Sequence, residues 1–485
     1  MVRRLVIAGA IVLALVASSC GRSTRELPSA DGTRPNIVFF LTDDQSADQM
    51  TALPSVQELI AQRGTTFDNA IVPIPLCCPA RAGLVTGQYP HNHGVTSNNN
   101  EDGGGFDGMD QTNTLARWLH DAGYRTAHVG KYMNGYGADR TRPVGWDEWW
   151  ATSKNPFLMY DYTLNHNGVE TPFGTAPSDY KTDVITRISR DFVEDTAPEA
   201  DPFYLQVWYT APHVEQGRDS RGRRWNGGAP RPAPRHRDSY AAAPMPTDAS
   251  FSEADVTDKP EWVRDLPEIG ADRTEIITGK YRMQLASLAS VDEGIREIID
   301  AIEAAGELET TLFVFASDNG YTHGEHRIAF NKSVVYEPSI RVPLYVAGPG
   351  FAERAEVSTP VMFPDLAPTF LRLAGTRAGL TMDGTGLQEW LDRSEVDRAV
   401  RIASGIDTAT EAQFDGVRTG RWVYAEFPAT GERELYDLAE DPNELTNLAG
   451  SSTHTEVEAQ LRSLHLSLRS CVGGACTVPV PASLR

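Results

Sequence analysis

Several short apolar runs along the chain stop abruptly at polar residues. Asn36 to Leu41 (NIVFFL) is almost continuously apolar and rich in β-formers, the pattern of a strand buried on both faces, and it gives way to Thr42, Asp43 and Asp44. Thr311 to Phe315 (TLFVF) runs into Ser317, Asp318 and Asn319 in the same manner. Arg125 to Val129 leads to Gly130 and Lys131, and Phe203 to Trp208 leads to Pro212 and His213. These four segments predict central strands that deliver polar side chains at their C-terminal ends, the edge where open α/β sheets bind ligands. Between them, Val291, Ile295, Ile298, Ile299 and Ile302 recur at helical spacing, with Gly306 as a stop. A shorter helix is predicted from Leu115 to Ala122, ending at Gly123. The alternation predicts an α/β fold with a large, mainly parallel sheet flanked by helices. After Gly375 the pattern changes: Gly416 to Tyr424 reads as a hairpin, and Glu434 to Leu448 as a strand running into a turn at Asp441 and Pro442. The expected division is a larger domain over 35–380 and a smaller C-terminal subdomain with an antiparallel sheet over 381–470.

Composition narrows the class. A chain of 485 residues, 40% hydrophobic and 23% charged, has ample material for a large core. A formal charge of −22 argues against a nucleic-acid partner, which needs a concentrated basic surface. One basic stretch stands out: Arg218, Arg221, Arg223, Arg224, Arg231, Arg235 and Arg237, among Pro and Gly, read either as a surface loop or as a wall that attracts an anionic substrate.

The chain opens with Arg3 and Arg4, then apolar residues from Leu5 to Val16, then Ala17, Ser18, Ser19 and Cys20. This apolar run is short of the roughly 20 residues a membrane span needs, so it reads as an export signal over residues 1–20. Ordinary signal-peptidase cleavage is one reading. The other rests on resemblance to a bacterial lipoprotein signal, which implies an acylated Cys20 as mature N-terminus, membrane attachment outside the cytoplasm, and a tether over 21–34. Near the other end, in the tail 471–485, Cys471 and Cys476 enclose a short loop and read as a disulfide clip in an oxidising compartment, with free thiols as the alternative. That leaves the adjacent Cys77 and Cys78.

The segment Cys77-Cys78-Pro79-Ala80-Arg81-Ala82-Gly83-Leu84-Val85-Thr86-Gly87 resembles the signature of the type I sulfatases. In that family a Cys with Pro two places on and Arg four places on is converted by a maturation enzyme to formylglycine. Cys77 has Pro79 and Arg81 in those places, whereas Cys78 has Ala80 and Ala82, so the resemblance implies modification of Cys77. Ala80 stands where many members have Ser. The resemblance extends from Arg34 to about Leu448 and is strongest to the N-acetylglucosamine-6-sulfatase-like branch, through QYPHNHGV (88–95), GKYMNGYG (130–137), VGWDEWW (144–150), PAPRH (232–236) and ELYDLAEDPNELTNLA (434–449). It implies the alkaline-phosphatase-like fold.

By the same resemblance Asp43, Asp44, Asp318 and Asn319, with Cys77, would hold a divalent cation, and such hard oxygen donors suit Ca²⁺ or Mg²⁺. Lys131, His213 and Lys332 would hold sulfate oxygens and assist the leaving group, and Arg81 would orient the nucleophile. Hydrated formylglycine would attack sulfur, and its second hydroxyl would then expel sulfate. Many sulfatases have a His two residues after the Lys, where this chain has Met133 followed by Asn134. The base for sulfate release is therefore unassigned, with His91, His93 and His326 as candidates. The implied function is a sulfuric ester hydrolase acting on sulfated sugars or aryl sulfates. Alternatives are a phosphomonoester or phosphonate hydrolase of the same superfamily, and a non-catalytic surface protein that binds sulfated glycans.

Overall fold

The computed structural model describes residues 34–137, 141–218, 224–391, 393 and 396–485. The signal segment with Cys20, the tether as far as Thr33, and Arg221 and Arg223 lie outside the described residues.

In chain order the main sheet is built from β1 (Asn36–Thr42), β2 (Gly64–Phe67), β3 (Arg125–Gly130), β4 (Glu148–Lys154), β5 (Tyr162–His166), β6 (Val169–Phe173), β7 (Phe203–Trp208), β8 (Thr311–Ser317), β9 (Leu344–Ala347) and β10 (Ala355–Val357). The spatial order is β10-β2-β9-β8-β1-β7-β3-β4-β5-β6. Its middle, β8-β1-β7-β3-β4, is parallel throughout, and antiparallel strands extend both flanks. The four strands expected at the centre are there, and every residue of β1, β7 and β8 is buried, which explains their unbroken apolar runs.

Helices cover both faces. α1 (Cys77–Thr86) and α2 (Leu115–Asp121) lie on one face with α5 (Leu366–Leu373); α3 (Lys181–Thr196) and α4 (Ala271–Ala304) lie on the other. α4 is 34 residues long, so the predicted apolar stripe from Val291 to Ile302 is its C-terminal half. A separate antiparallel sheet follows: β11 (Arg398–Ala403), β12 (Asp415–Arg418), β13 (Trp422–Glu426), β14 (Arg433–Asp437) and β15 (Val478–Pro479), in the order β14-β13-β12-β11-β15. α6 (Thr455–Leu468) packs on it. Leu387 and Trp390 still belong to the core of the larger sheet, and the antiparallel sheet begins at Arg398. Cys471 and Cys476 are joined by a disulfide. The carbonyl of Cys471 accepts from Asn92 Nδ2 at 2.8 Å and faces His91 Nε2 at 2.9 Å, tying the tail to the segment that follows α1.

Candidate functional site

Parallel register places the site. Thr42 pairs with Ser317, so β1 and β8 end side by side and the residues that follow, Asp43, Asp44, Asp318 and Asn319, emerge together. Two strands along, Gly130 of β3 pairs with Trp208 of β7, which brings Lys131 and the Thr210 to His213 segment to the same edge. α1 supplies the remainder. Leu76 is extended, Cys77 is the first helical residue, and all ten residues of α1 are buried. A helix N-terminus presents free backbone N–H groups and favours negative charge there.

Cys77 is 1% exposed. Its sulfur lies 3.0 Å from Lys332 Nζ, 3.6 Å from Lys131 Nζ and 3.4 Å from Asp43 Oδ1. Lys131 is ion-paired with Asp43 and Lys332 with Asp44. The fully buried Arg81 donates from Nε to Asp318 Oδ2 at 2.9 Å, approaches Asp43 Oδ2 within 3.4 Å, and donates from Nη1 to the carbonyls of Lys131 and Tyr132 at 2.5 and 2.9 Å. Three carboxylates therefore face three cations around one sulfur.

The donor set fits a hard cation. Ligand atoms of Asp43, Asp44, Cys77 and Asp318 all lie within 4.8 Å of one another. Asn319 donates from Nδ2 to Asp44 Oδ1 at 2.8 Å, while its Oδ1 is buried with no partner among the described residues, an acceptor left for something positive. Burial works to raise Asp43, but Lys131, His213 and Arg81 hold it far below the usual carboxylate range. Burial and the charge of Asp43 instead push Asp318 up to about 6, against Arg81. Burial and Asp43 push the Cys77 thiol well above its ordinary range.

His213 reaches the cluster with Nε2 3.5 Å from Asp44 Oδ2, and its Nδ1 donates to the Val214 carbonyl at 2.7 Å. Burial lowers it to about 4, against Asp44 and Asp43. The structure thus brings Cys77, Arg81, Lys131, His213, Lys332, Asp43, Asp44, Asp318 and Asn319 to one place.

The three candidate bases are engaged elsewhere. His91 is held by Cys471 O and by Arg401 Nη1 at 3.0 Å, and His326 by Glu253 Oε2 at 2.7 Å while stacked on Tyr336. His93 Nδ1 accepts from Val95 N at 3.1 Å. Among the described residues none of the three hydrogen-bonds to Cys77 or to the four oxygen donors: His91 and His93 lie in a short helix, Pro90–His93, and His326 in a turn, and each faces other neighbours. Met133 is buried in the core, and Asn134 N donates to Cys78 Sγ at 3.1 Å. Two arginines of the basic stretch are committed: Arg231 pairs with Glu215 at 3.1 Å, and Arg235 with Asp183 and Glu293 at 2.7 Å each. Arg218 and Arg224 end two short antiparallel strands.

Sequence reasoning missed three neighbours of the cluster. Phe157 stacks on His213, Tyr321 follows the Asp318-Asn319-Gly320 turn, and Lys280 of α4 donates to Tyr321 Oη at 3.1 Å while lying over Phe330. No periodic signal marks them, since each is a single residue whose position only the tertiary fold sets.

The comparisons with known proteins match most of the chain. The family model described as Sulfatase matches residues 35–376, and that described as N-sulphoglucosamine sulphohydrolase, C-terminal matches 324–470. The chain is 32% identical to human N-acetylglucosamine-6-sulfatase, covering 93% of this chain and 87% of that one. It is 32% identical to an arylsulfatase of Volvox carteri, covering 92% and 76%. A structure solved in complex with its substrate D-glucosamine-2-N,6-O-disulfate superimposes with a TM-score of 0.73 at 25% identity, over 90% of this chain and 97% of the other.

Proposed function

The chain belongs to the sulfatase family, enzymes that hydrolyse sulfate esters, and on that premise we propose that it removes sulfate from a sulfated sugar, with position 77 as nucleophile after its cysteine is oxidised to formylglycine. The observation that carries the reading is the seat of the Cys77 sulfur, 3.0 Å from Lys332 Nζ and 3.6 Å from Lys131 Nζ at the start of a buried helix. As an unmodified thiol this atom stays protonated, since burial and Asp43 raise it, and a protonated thiol is a poor nucleophile. That supports a modified side chain. Formylglycine would supply, on hydration, an oxygen nucleophile with a second hydroxyl for releasing sulfate, and Ca²⁺ or Mg²⁺ held by Asp43, Asp44, Asp318 and Asn319 would supply charge against the sulfate anion.

The remaining groups have roles that follow from their placement. Lys131 and Lys332 aim ammonium groups at position 77, where they are placed to hold sulfate oxygens as charge builds on them. His213 keeps a proton on Nδ1 against Val214 and turns Nε2 to the cluster, the nitrogen from which a leaving oxygen would be protonated. A bound sulfate ester adds negative charge beside this imidazole, which favours its protonated form. Arg81 is held by two carbonyls and two carboxylates, and so fixes Asp318 and Asp43 below position 77.

A sugar is favoured as the alcohol by the cavity that opens at Lys332. It has a volume of about 1140 Å³, and Trp262, Asp265, Glu268, Arg327, Asp407 and Glu411 are in its wall. The indole N–H of Trp262 is buried without a partner among the described residues, and carboxylates of this kind accept hydrogen bonds from hydroxyl groups. The relatives that act on N-acetylglucosamine 6-sulfate by name support the same class. We infer further that a maturation enzyme modifies Cys77, and that the chain is exported and held to a membrane through a lipid on Cys20, on the pattern of residues 1–21. No helix among the described residues is long and apolar enough to cross a membrane.

The test is turnover of N-acetylglucosamine 6-sulfate, an aryl sulfate and an aryl phosphate by the wild type, Cys77→Ala and Cys78→Ala, with mass spectrometry of the peptide around position 77. An aldehyde at 77, sulfate esters preferred, and a loss of several orders of magnitude confined to Cys77→Ala support the proposal. Faster phosphate turnover would point to a phosphohydrolase. An unmodified Cys77 with glycan binding and no turnover would point to a non-catalytic binder.

A further inference from the structure

The turn between β4 and β5 carries one aromatic ring to the site. Phe157 stacks on His213, with ring centroids 4.4 Å apart and planes 23° from parallel, and Lys131 Nζ lies 4.5 Å from the same ring centroid. One ring thus covers both His213, which faces Asp44, and Lys131, which faces position 77.

The turn is anchored with unusual effort. Lys181, at the start of α3, is fully buried and makes no ion pair among the described residues; its ammonium donates to the carbonyls of Asn155 and Pro156 at 3.3 and 2.9 Å. Thr210, three residues before His213, donates from Oγ1 to the same Pro156 carbonyl at 3.2 Å. Met159 N donates to Glu215 Oε1 at 2.9 Å, and Asn155 Nδ2 to the Asp161 carbonyl at 2.7 Å with the Asn155 backbone in the left-handed region at φ 52°. Burying a lysine without a carboxylate is costly. Here that cost is set against a fixed position for residues 155–159. Both the turn and the His213 segment are tied to the same atoms, so ring and imidazole are held in mutual register.

From this arrangement we propose that Phe157 is a positioning residue. Its face prevents the His213 ring from turning about its long axis, keeping Nε2 toward the leaving oxygen, and its π-cloud shields the Lys131 ammonium from water at little electrostatic cost. The proposal rests on the reading that His213 protonates the leaving oxygen. It gives the effect a chemical signature: proton donation matters most for an ester of a weakly acidic alcohol and least for one whose leaving group departs as a stable anion.

The experiment compares wild type, Phe157→Ala, Phe157→Leu and Phe157→Tyr, each checked for equal aldehyde content at position 77 and for its thermal midpoint. kcat and KM are measured on a series of aryl sulfates of graded leaving-group acidity and on N-acetylglucosamine 6-sulfate. Phe157→Ala should lose kcat on the sugar sulfate by about 30-fold, part of the roughly 10²–10⁴-fold that a general acid contributes, yet lose only about 3-fold on the most acidic phenol. Phe157→Leu should fall between, and Phe157→Tyr should restore most of the rate. An equal loss on every leaving group, or no loss on any, overturns the proposal while the sulfatase reading stands. A wild type that turns over no sulfate ester would sink both.

Discussion

Asn319 Oδ1 is a buried acceptor that meets no donor among the described residues, although the Nδ2 of the same side chain is engaged by Asp44 and Gly320. An acceptor left in this way costs about 1–3 kcal/mol. A cation among Asp43, Asp44 and Asp318 would remove that cost and bind the native state alone. Chelation should therefore lower turnover and the thermal midpoint together, and added Ca²⁺ should restore both; a hundredfold excess over Kd corresponds to about 2.7 kcal/mol of stabilisation. An unchanged midpoint after verified metal removal would contradict the site. Far from it, Glu434 accepts from Tyr336 Oη at 2.8 Å and Tyr436 Oη at 2.6 Å, and burial pushes it up to about 7, with Asp258 adding to the rise and Lys259 opposing it. A carboxyl raised on folding holds its proton more tightly in the native state. Its contribution is full below the ordinary carboxylate range and is lost as pH climbs through 7. Stability should thus fall by up to about 3 kcal/mol between pH 4.5 and 7.5 from this group. Glu434→Gln should flatten that slope in urea midpoints measured across the interval; an unaltered slope would assign the dependence elsewhere.

At the scale of elements, what the sequence displayed depended on how each segment is buried. β1, β3, β7 and β8 were legible because central parallel strands have little choice but to be apolar, and the polar residues that end them are the ones gathered around Cys77. β4, β5 and β6 were not legible. β5 and β6 form the antiparallel flank beyond the parallel β4, and β6 (VETPF) has no buried residue, so no alternation survives there for reading. The N-terminal half of α4 was hidden for another reason: Lys280, Gln284 and Ser287 are buried there, and Gln284 Oε1 takes hydrogen bonds from Gln49 at 3.1 Å and His323 at 2.7 Å, so polar function interrupts the apolar stripe. The crossing of α3 and α4 depends on one glycine. A Cβ on Gly294 would lie 2.1 Å from Thr186 Oγ1 and 2.9 Å from Tyr209 Oη, atoms that bond each other at 3.1 Å. Helix propensity alone favours Ala here by about 1 kcal/mol, but overpacking costs about 1–3 kcal/mol, and the contact should decide. Gly294→Ala is expected to destabilise, and Thr186→Ala in the same chain to recover part of the loss in denaturant unfolding. A stabilised Gly294→Ala would show that the helices slide apart freely.

Across the whole molecule, the two sheets share a core. Tyr89, Val334, Tyr336 and Ile340 of the larger body pack with Val417, Tyr424 and Tyr436 of the smaller one, and Arg418 reaches back to Glu337 at 2.7 Å. The tail is held by the disulfide, by β15 on β11, and by Trp422 Nε1 donating to the Leu484 carbonyl at 2.9 Å. Cysteine spacing displayed the disulfide, but the burial of the last strand is a tertiary fact with no local signal. The site itself is divided along the chain. Asp44 N donates to Asp318 across 274 residues, and Arg81 reaches the same carboxylate across 237. Contacts so distant form late and slowly. During synthesis Cys77 is therefore an open-chain thiol until these contacts form, and it becomes the 1%-exposed group of the finished molecule once β8 docks against β1. What governs access to this sulfur is then a clock and not a channel. An agent that converted it would compete with the arrival of residues 311–317, and the share of converted chains would record which of the two came first.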